Sequence, residues 1–380
     1  MNDQSDSPFH LAFFVPTLAG GGAERVIVTL ANAFAESGHR VDLLLTSRRG
    51  PLSDSVAPEV SVIDFRCRRT WHALPALVRV LRQRQPDVLV SALFSATVAA
   101  GTATTWMRAR GAPPPPLCAT VHSPLPRPDV QGLRAHLLVR AARVVLRRTE
   151  TVVAVSRSAA QNLAQYTGRD REQIDVIHNP IDINAVQSGA QGPSPHPWLQ
   201  EGIPVVVSAG RLHSQKDHRT LLRALARLHE KGRVRAILLG EGPERQPLEK
   251  QSRRLGISPD IAFPGFVENP YAFMERADVF ALPSASEAFG NVVVEALACG
   301  TPVVASESSG GPVEILQPND TTYGALVPPH NPDALASTLA AVLDRSVDRP
   351  RLQRRARDFD VPVAVDRYHA LFERMLHGAP

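Results

Sequence analysis

LAFFVPTLAGGGAERVIVTLANAFAESGHRVDLLLT, residues 11–46, settles the architecture of this protein. The apolar run Leu11–Leu18 ends in a glycine triplet, Gly20–Gly22. Val26, Leu30, Ala33 and Phe34 then recur on one helical face as far as Gly38, and Val41–Thr46 is apolar again. Strand, glycine loop, helix, strand is a βαβ unit, whose strands run parallel through a right-handed crossover. The alternation continues outward through VSVIDF (60–65), VLVSAL (88–93), LCATVH (117–122) and TVVAVS (151–156). Apolar strands separated by helical stretches are buried on both faces, which makes a doubly wound parallel sheet. A second series opens at PVVVSAG (204–210). It passes through RTLLRALARLHEKG (219–232), RAILLGEG (235–242), IAFPGFV (261–267), ADVFALPS (277–284), a helix from about Asn291, and TPVVAS (301–306). The expected organisation is two Rossmann-like α/β domains, residues 1–185 and 204–362. An aperiodic linker, 186–203, containing VQSGAQGPSPHPW (186–198), joins them.

Length and composition agree. A chain of 380 residues is long enough for two domains with their own cores, and 43% hydrophobic with 21% charged residues is ordinary for a globular protein. Cys67, Cys118 and Cys299 are odd in number and far apart, so neither a disulfide framework nor a structural zinc site is expected. MNDQSDSPFH lacks the positive start of a secretory leader. Val88–Met107 is uncharged but rich in Ala, Ser, Thr and Gly, which reads as a buried strand running into a small-residue helix and not as a membrane span. Residues 1–185 hold 21 arginines against 15 acidic residues, a net of +6, while the remainder is −1. No nucleic-acid-binding signature accompanies that basic excess, so no nucleic-acid partner is expected and an anionic membrane surface is the alternative. Arg134–Arg148 fits it: Leu137, Leu138, Ala141, Val144 and Val145 share a helical face bordered by arginines.

Three places carry chemistry. In Gly20–Gly22, glycines let backbone N–H groups approach a ligand, and the helix start favours phosphate. A dinucleotide fingerprint fails, because Arg25 stands where a glycine is needed; Arg48 and Arg49 after the second strand keep a 2′-phosphate reading open. Arg211 and Lys216 follow a strand end, where ligands of open α/β sheets bind, and two cations there suit a diphosphate leaving group. Lys216 is one of only three lysines against 39 arginines. The sharpest element is SEAFGNVVVEALACG (286–300), with Glu287 in a loop past a strand end and Glu295 in the following helix. Gly290, Asn291 and Val292 open that helix and offer backbone N–H groups to phosphate.

The chain resembles retaining glycosyltransferases of the GT-B fold, in the family numbered four. Matching pieces run along the whole chain: FVPTLAGGGAER, TVVAVSRSAAQNL, VIHNPID, VVSAGRLHSQKD, LLGEGPERQPLE, VENPYAFMERADVFALPSASEAFGNVVVEALACGTPVVAS and GGPVEIL. The resemblance implies two domains facing each other across a cleft. Arg211 and Lys216 would contact the donor diphosphate, Glu287 the donor sugar and Glu295 the nucleotide ribose. Gly240, Glu241, Gly242, Phe266 and Val267 would lie along the nucleotide, and His122 would face the sugar. The acceptor would approach past Gly21 and Gly22. It further implies transfer with retention from a nucleotide diphosphate sugar, UDP preferred over GDP, by front-face displacement. No cofactor and no metal are expected, since Arg211 and Lys216 stand in for a cation. The acceptor would be a glycan or lipid-linked glycan, and the setting the cytoplasm with peripheral contact to the membrane's inner face. The final helix, 363–380, would cross back onto the first domain. Departures are His178 within VIHNPID and Gly310-Gly311-Pro312-Val313 where a Gly-Pro-Arg run is usual. The rival readings are a nucleotide-sugar epimerase on the same fold and a non-catalytic nucleotide-sugar-binding protein.

Overall fold

Both sheets follow from the strand-helix alternation, and each belongs to its own compact unit, residues 1–180 with 361–380 and residues 181–360. The structure is a computed structural model and describes residues 8–122, 133–230, 232, 234–308, 310–319 and 321–378. The polar terminus 1–7, Lys231 and the side chains of Arg134 and His136 lie outside them.

The first unit contains β1 (His10–Val15), α1 (Gly22–Glu36), β2 (Arg40–Leu45), β3 (Ser61–Asp64), α2 (Leu74–Arg84), β4 (Val88–Ala92) and α3 (Phe94–Ala109). They are followed by β5 (Leu117–Val121), α4 (Leu133–Arg148), β6 (Thr151–Ala154), α5 (Arg157–Thr167) and β7 (Asp175–Val176). Its seven strands are all parallel in the order β3-β2-β1-β4-β5-β6-β7. β1 and β4 are buried along their whole length, as apolar runs without alternation require. The C-terminal helix Val361–His377 belongs to this unit and packs Ala364, Tyr368, Leu371 and Phe372 against α1 and the sheet. Under β2, Asp42 is buried and bonded by His10 Nε2 at 2.7 Å and Arg84 at 2.5 and 3.0 Å. Burial alone would raise its carboxyl, but Arg84 and His10 together hold it below the usual range.

The second unit contains α6 (Ile183–Ala190), β8 (Val205–Ala209), α7 (His218–His229), β9 (Arg235–Leu239), α8 (Arg245–Arg254), β10 (Ile261–Gly265) and α9 (Tyr271–Arg276). It continues with β11 (Val279–Leu282), α10 (Asn291–Ala298), β12 (Val303–Ser306), α11 (Gly311–Leu316), β13 (Ala325–Val327), α12 (Pro332–Leu343) and α13 (Arg349–Ala356). Its order, β10-β9-β8-β11-β12-β13, repeats the same doubly wound plan, again all parallel.

The expected linker is corrected. Residues 186–203 are not an aperiodic tether, because α6 occupies Ile183–Ala190 and Pro197–Gln200 forms a 3₁₀ turn. Asp182 caps α6 by accepting from Ala185 N–H at 2.8 Å, and Ile183, Val186 and Ala190 are buried. Gly189 is small because Tyr271 of α9 lies against it, where a Cβ would stand 2.9 Å from the ring. The glycines and prolines downstream drew attention from a cap followed by apolar residues at helical spacing.

Candidate functional site

In a doubly wound sheet the strand order reverses between the first strand and the fourth, and the loops leaving those two strands diverge to open a crevice. In the second unit the pair is β8 and β11. The loop after β8 carries Arg211 and Lys216, and the loop after β11 carries Ser284 and Glu287, so topology alone brings together residues 71 positions apart.

They touch. Lys216 Nζ donates to Glu287 Oε1 at 2.5 Å, and Ser284 Oγ donates to the same oxygen at 2.6 Å. Backbone bonds hold the two loops in register: Ala285 N–H to the Gln215 carbonyl at 2.8 Å, and Gln215 Nε2 to the Ser286 carbonyl at 2.7 Å. Glu287, in the loop past a strand end as expected, is only 8% exposed. Its acidity is compensated by a cation and a buried hydroxyl, as a carboxylate in that setting needs. Arg211 is exposed beside this pair in sequence, and no carboxylate of the described residues holds it.

Glycines fix the crevice walls. A Cβ at Gly240 would collide with the Gly210 carbonyl, and one at Gly242 with the Leu212 carbonyl. Both glycines also have φ in the left-handed half, 132° and 159°. Their requirement is therefore backbone packing between the β8 and β9 loops, clipped by Leu212 N–H to Glu241 O at 2.9 Å. The Glu241 side chain is engaged by Arg245. Gly310 and Gly311, the departure noted above, have the same kind of cause: a Cβ at either would strike the Glu287 or Phe289 carbonyl. They let the segment after β12 lie directly on the glutamate loop. Gly290 starts α10 with φ of 92°, Val293 N–H bonds its carbonyl at 2.9 Å, and Glu295 is buried one turn into the helix. Asn291 and Val292 form the first turn, Val267 is half-buried, and Phe266 is largely exposed.

Reasoning from sequence missed three supports of this site. Ser284 is completely buried and hydrogen-bonds Glu287; Pro283-Ser284 just past a strand was the available signal. Asp217, at φ of 47°, caps α7 through Thr220 and accepts from His330 Nδ1 at 2.6 Å, fixing the residue next to Lys216. His218 is buried, and its Nδ1 has no partner among the described residues. Burial, with Lys216's charge adding to it, pushes its pKa down to about 4.

The pH dependence of stability follows from that shift. Folded His218 stays neutral while the unfolded chain protonates near pH 6.5, so unfolding takes up a proton between about pH 4 and 6.5. Its contribution is complete above pH 6.5 and lost as pH falls towards 4, on the order of 3 kcal/mol. Urea unfolding of His218→Phe at pH 7 and pH 4.5 is expected to show a shallower acid loss than the unsubstituted chain. An identical slope counts against the assignment.

In the first unit the corresponding crevice lies between β1 and β4. The Gly20–Gly22 loop does not present a vacant helix start for phosphate. Gly21 caps α1, and the Glu24 carboxylate sits where a Gly21 Cβ would project, so an anion of the chain's own already faces that terminus. Leu93, leaving β4, has φ of 70°, a strained geometry for a branched residue. His122, after β5, has both ring nitrogens engaged: Nε2 with Thr120 Oγ1 at 2.8 Å and Nδ1 with the Asn179 amide at 3.1 Å. Burial lowers its pKa to about 4 against the opposing Asn179 bond, so the ring is neutral at physiological pH and already committed to the protein. Among the described residues no cluster of three His, Cys, Asp or Glu is placed to hold a metal ion.

Known proteins similar to this chain share its two-unit α/β plan. The profile described as Glycosyltransferase Family 4 matches residues 20–185, and that described as Glycosyl transferases group 1 matches residues 197–359. A D-inositol 3-phosphate glycosyltransferase of Mycolicibacterium smegmatis is 34% identical over 232 residues, 58% of this chain and 50% of the relative. The N-acetylgalactosamine-N,N'-diacetylbacillosaminyl-diphospho-undecaprenol 4-alpha-N-acetylgalactosaminyltransferase of Campylobacter jejuni is 28% identical over 228 residues, 58% of this chain and 59% of the relative. The matched region thus spans about half the length of these curated relatives. In fold, the chain is similar to Anabaena Alr3699/HepE, solved in complex with UDP. The TM-score is 0.78 at 24% identity, covering 96% of this chain and 99% of that one.

Proposed function

This chain belongs to the group 1 glycosyltransferases of family 4 and has the GT-B fold, and from that premise we propose that it transfers a sugar from a UDP-sugar to a hydroxyl of a glycan or lipid-linked glycan, with retention. The observation that carries this reading is the meeting of Lys216 and Glu287 at the β8/β11 switch point, with Arg211 in the same loop as Lys216. The acceptor oxygen bonds to the anomeric carbon on the face from which the diphosphate leaves. The acceptor's proton passes to a departing phosphate oxygen. Arg211 and Lys216 take up the charge that develops there, so no metal is needed. Glu287 accepts hydroxyls of the donor sugar, and Glu295 those of the ribose. Gly290, Asn291 and Val292 receive phosphate at the start of α10. His122 shapes the sugar pocket as a neutral ring whose nitrogens are both engaged by the protein, and it transfers no proton to the reaction. UDP is favoured because Anabaena Alr3699/HepE binds it, and a lipid-linked acceptor because the Campylobacter relative is named for one.

The test is a thermal-shift screen of the intact protein with UDP- and GDP-sugars, followed by product analysis with chelator present. A UDP-sugar at 100 times its Kd should stabilise the fold by about 2.7 kcal/mol. No shift with any nucleotide sugar would sink the donor reading. Anomeric inversion in the product would sink retention, and loss of transfer under chelation would sink the metal-free step.

The setting proposed is the cytoplasmic face of a membrane, where this sugar chemistry meets lipid-linked acceptors. Among the described residues no helix is long and apolar enough to cross a bilayer. α4 turns out to be a domain helix on one side: Ala142 and Leu146 are buried, and Val145 packs on Gly101 of α3. That narrows the membrane-facing set expected from sequence to Leu137 and Val144, 58% and 50% exposed, among the exposed Arg140, Arg143, Arg147 and Arg148. Each cation near an anionic surface contributes about 1 kcal/mol, screened by salt. Co-sedimentation with anionic vesicles, weaker at high salt and reduced in Leu137→Ser/Val144→Ser, is expected. Equal binding to neutral vesicles would reject it.

A further inference from the structure

A second concentration of positive charge lies away from the switch-point crevice, between α7 and α8. Arg219 and Arg223 stand one turn apart on α7, and Lys250 and Arg254 one turn apart on α8; all four line one groove, floored in part by Gln251 and Leu255. Gln251 Nε2 donates to the Arg219 carbonyl at 2.9 Å and ties the two helices together there. The surrounding carboxylates are turned elsewhere. Glu241 and Glu249 are both held by Arg245, Asp333 by Arg227, and within the groove only Arg219 has an acidic partner, Glu244 at 2.6 Å. Arg223, Lys250 and Arg254 are exposed and have no ion pair among the described residues.

This arrangement works against its own helices. Like charges at i,i+4 repel, here twice, and Arg219 sits in the first turn of α7, where the helix dipole disfavours a cation, although Arg254 at the end of α8 is favoured by it. Glu244 and Asp217 balance Arg219, but Arg223, Lys250 and Arg254 have no acidic partner among the described residues of a unit whose half of the chain is nearly neutral. Such violations mark functional sites, because a bound counter-charge removes the penalty. Planar guanidinium forks on both walls, with a compact ammonium on one of them, match the oxygens of phosphate better than those of a single carboxylate.

We propose that the α7–α8 groove is a binding site for a phosphate-bearing anion of two or more charges, separate from the donor crevice. It holds either a soluble di- or triphosphate or the headgroup of an anionic phospholipid. The site is independent of the donor reading, and its test is built on Lys216→Ala protein to remove the expected diphosphate cation of the crevice. Inorganic pyrophosphate is titrated calorimetrically into the full chain at low salt, with and without the further changes Arg223→Gln and Lys250→Gln. The expected result is one pyrophosphate per chain in Lys216→Ala, weakened at least tenfold by the two groove substitutions and progressively by salt, at unchanged Tm without ligand. If pyrophosphate is ignored but phosphatidic-acid vesicles, and not phosphatidylcholine vesicles, retain a Lys216→Ala chain that also carries Leu137→Ser/Val144→Ser until the groove is substituted, the ligand is the lipid headgroup. Binding of neither probe, or binding undiminished by Arg223→Gln/Lys250→Gln, overturns the proposal.

Discussion

Glu287→Gln is expected to lower transfer at saturating donor by about 10²–10³-fold, the scale found when one preorganised electrostatic contact in an active site is removed. The glutamine keeps the shape and can still accept from Ser284, so the fold should hold, while the charge that receives sugar hydroxyls and balances Lys216 is gone. Glu287→Ala is a different experiment. Because the glutamate is buried, truncation leaves Ser284 and Lys216 without their partner and should cost roughly 1–3 kcal/mol of stability as well. Steady-state rates with the donor identified by screening, alongside urea titrations, separate the two effects. Near-full turnover by Glu287→Gln with an unchanged midpoint would remove Glu287 from the site.

Lys216→Ala should cost a comparable 2.7–4 kcal/mol in kcat/KM, because the diphosphate then leaves without its cation. The contact with Glu287 makes a sharper statement possible. Residues in one ion pair do not contribute independently, so the double variant Lys216→Ala/Glu287→Gln should lose far less than the sum of the single losses. Additive losses would mean that the two side chains serve separate steps, and that their 2.5 Å contact belongs only to the unliganded crevice. Unchanged kinetics in Lys216→Ala would end the diphosphate assignment outright.

Much of the geometry of the β8/β11 crevice is legible in the sequence. The Glu287–Glu295 element reads as a loop-to-helix junction, and Gly290 is the cap from which α10 begins. Lys216 stands out by its rarity and its place after a strand. What escaped was each side chain's environment. Glu287 reads as a surface residue because its neighbours Ser286 and Ala288 carry no hint of the lysine that faces it from 71 positions away. The glycines of 240–242 read as ligand-facing, yet the Gly210 and Leu212 carbonyls are what exclude a side chain from Gly240 and Gly242. His122 reads as a ligand-facing residue, but Thr120 and Asn179 occupy its nitrogens.

By itself the sequence determined the two doubly wound sheets, because unalternating apolar strands separated by amphipathic helices admit parallel sheets covered on both faces. The spacing of Val365, Tyr368, Leu371, Phe372 and Met375 marks the last helix as amphipathic, but its return to the first unit was only what the family resemblance implied. Only the tertiary structure decided which charges meet and which stay apart. Lys216 was brought onto Glu287 by the strand order β8-β11, whereas Arg223, Lys250 and Arg254 were left facing one another across two helices. Periodicity is written locally, in residues three or four apart, and fixes elements and their buried faces. Charge compensation depends on distances of a few ångströms between segments far apart in the chain, and these exist only once the sheets have closed.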